Sequence, residues 1–129
     1  MRAFLQRHSI TEDQLRALAL VENGDVHFIR EPETTKVATG QIQWSLLLAL
    51  KSALLGGEMS ADPEAVRSIC IEKGLYDKAN FAANFKRSTG KVMFQKVPEP
   101  QGEAVKLSAE GEKKLAELVK SLTGSSAPA

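Results

Sequence analysis

Apolar residues recur at helical spacing through most of the second half of the chain, and these recurrences predict four helices. The first predicted helix, over residues 41–55, is apolar on nearly every side, so other parts of the protein must cover nearly all of its surface. The second begins with Asp62 and Pro63, a good N-cap and a good first helical residue, and stops at Gly74. The predicted helices lie near residues 41–55, 62–73, 78–88 and 109–122.

A strand pair is predicted between the third and fourth of these helices. Residues 91–97 alternate and are rich in β-forming types, residues 98–102 contain two prolines and a glycine, and residues 103–107 can return as a partner strand. The expected product is a hairpin over 91–107 with a long tip. The sequence therefore predicts a mainly α fold with a small β-hairpin, in the element order of a winged helix-turn-helix.

The junction between the hairpin and the last helix resembles that of a known family. Leu107-Ser108-Ala109-Glu110-Gly111 is similar to the Leu-Thr-x-x-Gly junction of MarR- and PadR-like winged-helix regulators, with Ser in place of Thr. The resemblance covers residues 41–122 and is at the level of the superfamily. It implies a three-helix core with a wing, and by analogy binding of double-stranded DNA; similar folds also serve only as protein-docking modules.

The third predicted helix carries candidate base-reading side chains. Phe81 and Phe85, four residues apart, are expected in the core, and a second set at i, i+3, i+4 and i+7 is expected on an exposed stripe. Asn can pair bidentately with adenine and Arg with guanine, while an alanine methyl can lie against a thymine methyl. A solvated helix face would contain the same residue types. The stripe consists of Asn80, Ala83, Asn84 and Arg87.

Charge distribution favours a local nucleic-acid contact over a general one. The formal net charge is only +1, so any electrostatic footprint must be confined to part of the surface. From residue 84 to residue 96 there are four basic residues and no acidic one. Such a cluster can bind phosphates, or it can be an ordinary solubilising surface. The full set of predicted DNA contacts is Lys78, Asn80, Ala83, Asn84, Lys86, Arg87, Lys91 and Lys96.

The first third of the chain is predicted to be an extension that covers the long apolar helix. A helix is expected over Ser9 to Glu22, ended by Asn23-Gly24, and a short strand over 25–30. The cover for the apolar helix can come from this extension or from a second subunit. Because the apolar surface exceeds what a small three-helix core needs, we expect a homodimer. The expected domains are an N-terminal extension (1–38), the winged helix-turn-helix (39–123) and a flexible tail (124–129).

The remaining residue types argue against catalysis, a cofactor or a metal. Cys70 lies on the apolar side of its predicted helix and is expected to be a core thiol; His8 and His27 belong to no catalytic or metal-binding motif. We therefore expect no enzyme activity. With no signal peptide and no apolar run long enough for a bilayer, the protein is expected to be cytoplasmic. Two functions remain: a DNA-binding protein that acts as a transcriptional regulator or a DNA-associated accessory factor, or a protein-interaction module without DNA binding.

Overall fold

One long apolar helix forms the centre of the structure, a computed structural model that describes residues 1–124. The fold is mainly helical with small antiparallel strand pairs, as the sequence predicted. Residues 125–129 of the predicted tail lie outside the described residues. The helices are α1 (Arg2–Arg7), α2 (Glu12–Leu18), α3 (Val37–Leu54), α4 (Pro63–Glu72), α5 (Phe81–Lys86), α6 (Ser88–Lys91) and α7 (Ala109–Thr123). The strands are β1 (Ala19–Glu22), β2 (Asp25–Phe28), β3 (Ser60–Ala61) and β4 (Val105–Lys106).

The central helix is α3, which begins four residues before the predicted boundary at residue 41. Helices α4, α5 and α7 and strand β3 all pack against it. Trp44, Leu47 and Leu50 are completely or almost completely buried within this single chain. Phe28 of β2 meets the Trp44 ring edge-on, with the ring centroids 6.1 Å apart. Of the two covers that the sequence left open for this helix, the N-terminal extension therefore supplies one within the chain, and the homodimer stays a prediction.

The N-terminal helix predicted over Ser9 to Glu22 was too long, since it forms only over Glu12–Leu18. Helix α2 ends at Leu18, and the chain continues directly into the hairpin β1–β2, whose register pairs Ala19 with Phe28. Asn23 and Gly24 have φ of +54° and +75°. Positive φ at both central residues is the requirement of a type I′ turn, for which Asn-Gly is the preferred sequence. The dipeptide interpreted as a helix stop is a hairpin turn.

Helix α4 matches its prediction, whereas the predicted helix over 78–88 was wrong in extent. Asp62 caps α4 by accepting a hydrogen bond from the Glu64 amide (3.1 Å), and Gly74 follows its end with φ of +71°. The next helix, α5, contains only six residues, and Arg87 interrupts it with an extended backbone before α6. Residues 78–80 form a turn instead of the first helical turn.

The predicted strand over 91–97 was also wrong. Its first residue ends α6, and only Phe94 makes an isolated antiparallel bridge, to Leu107. Met93 and Phe94 are neighbours in sequence and both buried, which an alternating surface strand does not permit. The returning strand does form: β4 pairs with β3, matching Ser60 with Lys106, so it lies between β3 and Phe94.

The last helix confirms the prediction for 109–122 and explains the junction that precedes it. The Ser108 hydroxyl accepts from the Gly111 amide (3.1 Å) and donates to the Val92 carbonyl, so one side chain caps α7 and ties it to the preceding loop. Gly111 packs directly on the Met93 carbonyl: an added Cβ would lie 2.0 Å from that oxygen. The serine of the Leu-Ser-x-x-Gly pattern thus caps the helix, and its glycine lets the first turn of α7 pack closely against the backbone of Met93.

Candidate nucleic-acid interface

The predicted basic residues are all exposed, and they occupy a stretch free of acidic residues. We call residues 78–96 the basic segment; it contains Lys78, Lys86, Arg87, Lys91 and Lys96. Between Asp77 and Glu99 the chain has five basic residues and no acidic one. The other residues include twelve basic and sixteen acidic ones, so this stretch is strongly positive within a chain that is otherwise slightly negative.

The ion pairs of the structure reinforce this asymmetry. Seven of the twelve basic residues outside the basic segment pair with carboxylates in residues 1–124. Lys51, for example, lies 3.1 Å from Asp25. None of the five cations of the basic segment has such a partner within the same described range. Their charge is therefore available to an external anion.

The local backbone groups three of these cations closely and leaves two apart. Lys86 ends α5, Arg87 lies in the break between α5 and α6, and Lys91 ends α6, so the three fall within six residues. Lys78 lies before α5, beside Pro100 and Gln101 of the loop over 95–104. Lys96 belongs to that same loop. The structure therefore places the cations along α5, α6 and the loop.

The predicted base-reading stripe is only partly exposed. Asn80 and Ala83 are exposed as expected, although the Asn80 amide group donates to the Asp77 carboxylate (2.7 Å). Asn84 is 3% exposed, so the prediction that it lies on the exposed stripe was wrong. The reason lies in helical geometry: Asn84 is three residues after Phe81 and adjacent to Phe85, on the edge of the face that docks. Phe81 and Phe85 are themselves buried, which confirms that part of the prediction.

Asn84 takes part in a buried polar chain that fixes α5 against α3. The Gln41 amide group donates to the Phe81 carbonyl (2.8 Å), and the Asn84 amide group donates to Gln41 Oε1 (3.0 Å). Gln41 and Asn84 are 1% and 3% exposed. Because α5 has only one and a half turns, these bonds to a long neighbouring helix contribute substantially to its position. The sequence offered no periodic signal for this pair, since two isolated amides at 41 and 84 match no motif.

Other candidate chemistry is weak in residues 1–124. Cys70 is completely buried, and burial raises the pKa of its thiol to about 11, which disfavours the nucleophilic thiolate. No group of three His, Cys, Asp or Glu side chains in this range lies in an arrangement that could hold a metal ion. The same part of the chain contains no helix with the length and apolarity that a bilayer crossing requires.

The basic segment, its unpaired charges and the short helices that present them are the features on which a functional assignment must rest. Comparisons with protein-family models, with curated proteins and with solved structures found no match.

Proposed function

We propose that this chain is a winged helix-turn-helix protein that binds double-stranded DNA through its basic segment. The order α3, β3, α4, α5, Phe94 and β4 supports the fold, since β4 lies between the other two extended segments. In that fold α4 and α5 are the helix-turn-helix pair, and the loop over 95–104 is the wing. Tyr76, between the two helices, contacts Arg67 of α4 and the Phe81 ring of α5.

The observation that carries the proposal is the set of five exposed, unpaired cations in a stretch without acidic residues. Phosphate contacts dominate the affinity of proteins for DNA, and the salt-dependent part of that affinity comes from cations that are not already neutralised. The rest of the surface is slightly acidic, so it would orient the molecule with the basic segment toward the duplex. A general solubilising surface needs no such segregation of charge.

Arg87 is the strongest candidate for direct base reading. It is exposed, it has no carboxylate partner in residues 1–124, and it lies in the extended break between α5 and α6. Arginine can donate two parallel hydrogen bonds to guanine in the major groove. The proposed interface includes Asn80 and Ala83. It does not include Asn84, which is buried and positions α5 instead. Lys78, Lys86, Lys91 and Lys96 are assigned to phosphates.

Selection of bound sequences from a randomised duplex pool separates these roles. Arg87→Ala should relax base preference at one position, with a loss of about 1–3 kcal/mol for the preferred site. Lys91→Ala should weaken all duplexes about equally and reduce the salt slope by about one unit. Lys113→Ala is the matched control, because Lys113 is exposed on α7 and also lacks a carboxylate partner in the described residues. Equal losses of DNA affinity from Lys91→Ala and Lys113→Ala would contradict the assignment of Lys91 to a phosphate contact.

A second candidate function, protein docking, is favoured by the N-terminal hairpin. Leu20, Val21 and Ile29 are 48%, 50% and 57% exposed at or beside β1 and β2, so this hairpin presents apolar surface. We propose that a second copy of the chain covers it, which transfers the homodimer prediction from α3 to the hairpin. Sedimentation should show a dimer for the wild type and a monomer for Leu20→Lys. Ile71→Lys, at a similarly exposed position on α4, should leave the dimer intact.

A further inference from the structure

A cavity of about 490 Å³ lies between α3, the α5–α6 region and α7. Its inner wall is apolar and includes Ile42, Leu46, Met93 and Leu118. Exposed residues form its rim, among them Thr39, Arg87 and Ser121. Small-molecule sites typically have about 300–1,000 Å³, apolar walls and a few placed polar groups. The volume and wall composition of this cavity fall within that description.

Two amide oxygens in the residues that line the cavity have no hydrogen-bond donor among residues 1–124. They are Asn84 Oδ1 and Gln43 Oε1. The orientation of Asn84 is fixed by its neighbours: the Phe81 carbonyl can only accept, so Gln41 donates to it and presents its oxygen to the Asn84 amide group. The remaining Asn84 atom must therefore be the acceptor. A buried acceptor without a donor is destabilising, and a ligand that supplies the donor removes that cost.

We propose that this cavity binds a small, uncharged aromatic molecule that carries an N–H or O–H donor at its inner end. The donor would bond to Asn84 Oδ1. A ligand carboxylate beside these two oxygens would be repelled, and a buried ligand cation would lose its hydration, so the inner end is neutral. Aromatic character is favoured by Met93 and by Arg87 in the lining, because a thioether and an unpaired guanidinium both interact well with rings.

The inner oxygens are closed off from solvent in this conformation, so binding includes a small opening of the wall. Gln43 is partly exposed on α3, so its amide can turn toward the cavity, whereas Asn84 keeps its bond to Gln41. Displacement of the wall side chains in front of Asn84 Oδ1 would bring that oxygen within reach of a ligand donor. We therefore expect ligand binding to change the amide chemical shifts of residues in α3, α5 and α7 and to leave those of the other elements unchanged.

Titration with indole, followed by amide chemical shifts in the full-length protein, tests the proposal. Indole is uncharged, aromatic and has one N–H donor; 1-methylindole has nearly the same shape and lacks the donor. We expect saturable indole-dependent shifts at Leu46, Asn84 and Leu118, and about tenfold weaker binding of 1-methylindole. Equal affinities for the two compounds, or no saturable shift at millimolar indole, would overturn the proposed site.

A pair of tryptophan substitutions locates the binding. Ser121 lies at the rim of the cavity, so Ser121→Trp should fill the entrance and weaken indole binding at least tenfold. Ser68 is an exposed serine on α4 outside the cavity lining, so Ser68→Trp should bind indole as the wild type does. Both sites are exposed, which keeps the fold intact. Undiminished binding by Ser121→Trp would exclude this cavity; no step of the test depends on DNA.

Discussion

At the scale of single residues, the most informative finding is that two amides form a buried link between helices. The Asn84 amide group donates to Gln41 Oε1, and the Gln41 amide group donates to the Phe81 carbonyl, in a region closed to solvent. Removing one partner leaves buried polar groups unpaired, which costs more than the hydrogen bond itself contributes. The energetic role of Asn84 is therefore visible only in the presence of Gln41.

A double-mutant cycle tests this link. Gln41→Leu should lower the free energy of unfolding by about 1–3 kcal/mol, since it leaves the buried Asn84 amide group without its partner and removes one bond to the Phe81 carbonyl. The double change Gln41→Leu/Asn84→Leu should cost at least about 0.5 kcal/mol less than the sum of the single changes. Urea denaturation measures all four proteins. Strict additivity would contradict the link, and Gln6→Leu, at an exposed site, should change stability by at most about 0.5 kcal/mol.

Cys70 gives a second residue-scale prediction. Because burial raises the pKa of its thiol to about 11, thiolate should be scarce at pH 8 in the folded protein. Labelling by a disulfide reagent should therefore be slow in native buffer and approach the rate of a free cysteine in urea. Ser68→Cys, which adds an exposed thiol to the same helix, should label rapidly without urea. Fast labelling of wild-type Cys70 in native buffer would show that the thiol is accessible.

At the scale of elements, caps were better guides than periodicity alone. Asp62 and Ser108 each begin the predicted helix by accepting backbone hydrogen bonds, and both helices agree with their predicted bounds within two residues. The N-terminal hairpin could have been predicted, because Asn23-Gly24 is a strong turn signal that was instead assigned to a helix end. The split between α5 and α6 could not, since it depends on tertiary contacts of Gly90 and Phe94.

The candidate site, like the fold, could be predicted from the sequence only in part. The exposed basic residues follow from charge pattern, which is a surface property, whereas the burial of Asn84 depends on Gln41, a residue 43 positions away. A helical wheel places Asn84 at the boundary between the buried and the exposed face of α5. Its burial follows from the hydrogen bond to Gln41, which the wheel does not include. Local sequence therefore identified the cations of the basic segment but misassigned the amide.

The junction before α7 gives a prediction at this scale. Gly111→Ala should destabilise the protein by about 1–3 kcal/mol although alanine is the better helix former, because its Cβ would lie 2.0 Å from the Met93 carbonyl. Gly40→Ala, also within a helix, would meet only the end of the Leu75 side chain (2.6 Å), which can rotate, so a smaller loss is expected. Thermal melts compare the two. An increase in stability for Gly111→Ala would contradict the close docking.

At the scale of the whole molecule, the near-neutral net charge conceals a division of the surface. The stretch between Asp77 and Glu99 carries five positive charges, and the remaining chain has four more acidic than basic residues. Such a division favours one orientation toward a polyanion over all others, even when the net charge is small. Overall charge is therefore a poor guide to the partner of this protein, and the distribution of unpaired cations is the better one.

The most direct measurement of the central claim is a fluorescence-anisotropy titration with random-sequence duplex DNA over a series of salt concentrations. If the four lysines of the basic segment each meet a phosphate, log Kobs should fall against log salt with a slope of about −3.6. Replacing Lys86, Lys91 and Lys96 together by alanine should reduce the magnitude of that slope by about 2.7 units. Absence of salt-dependent binding at protein concentrations of tens of micromolar and low salt would contradict DNA recognition by this surface.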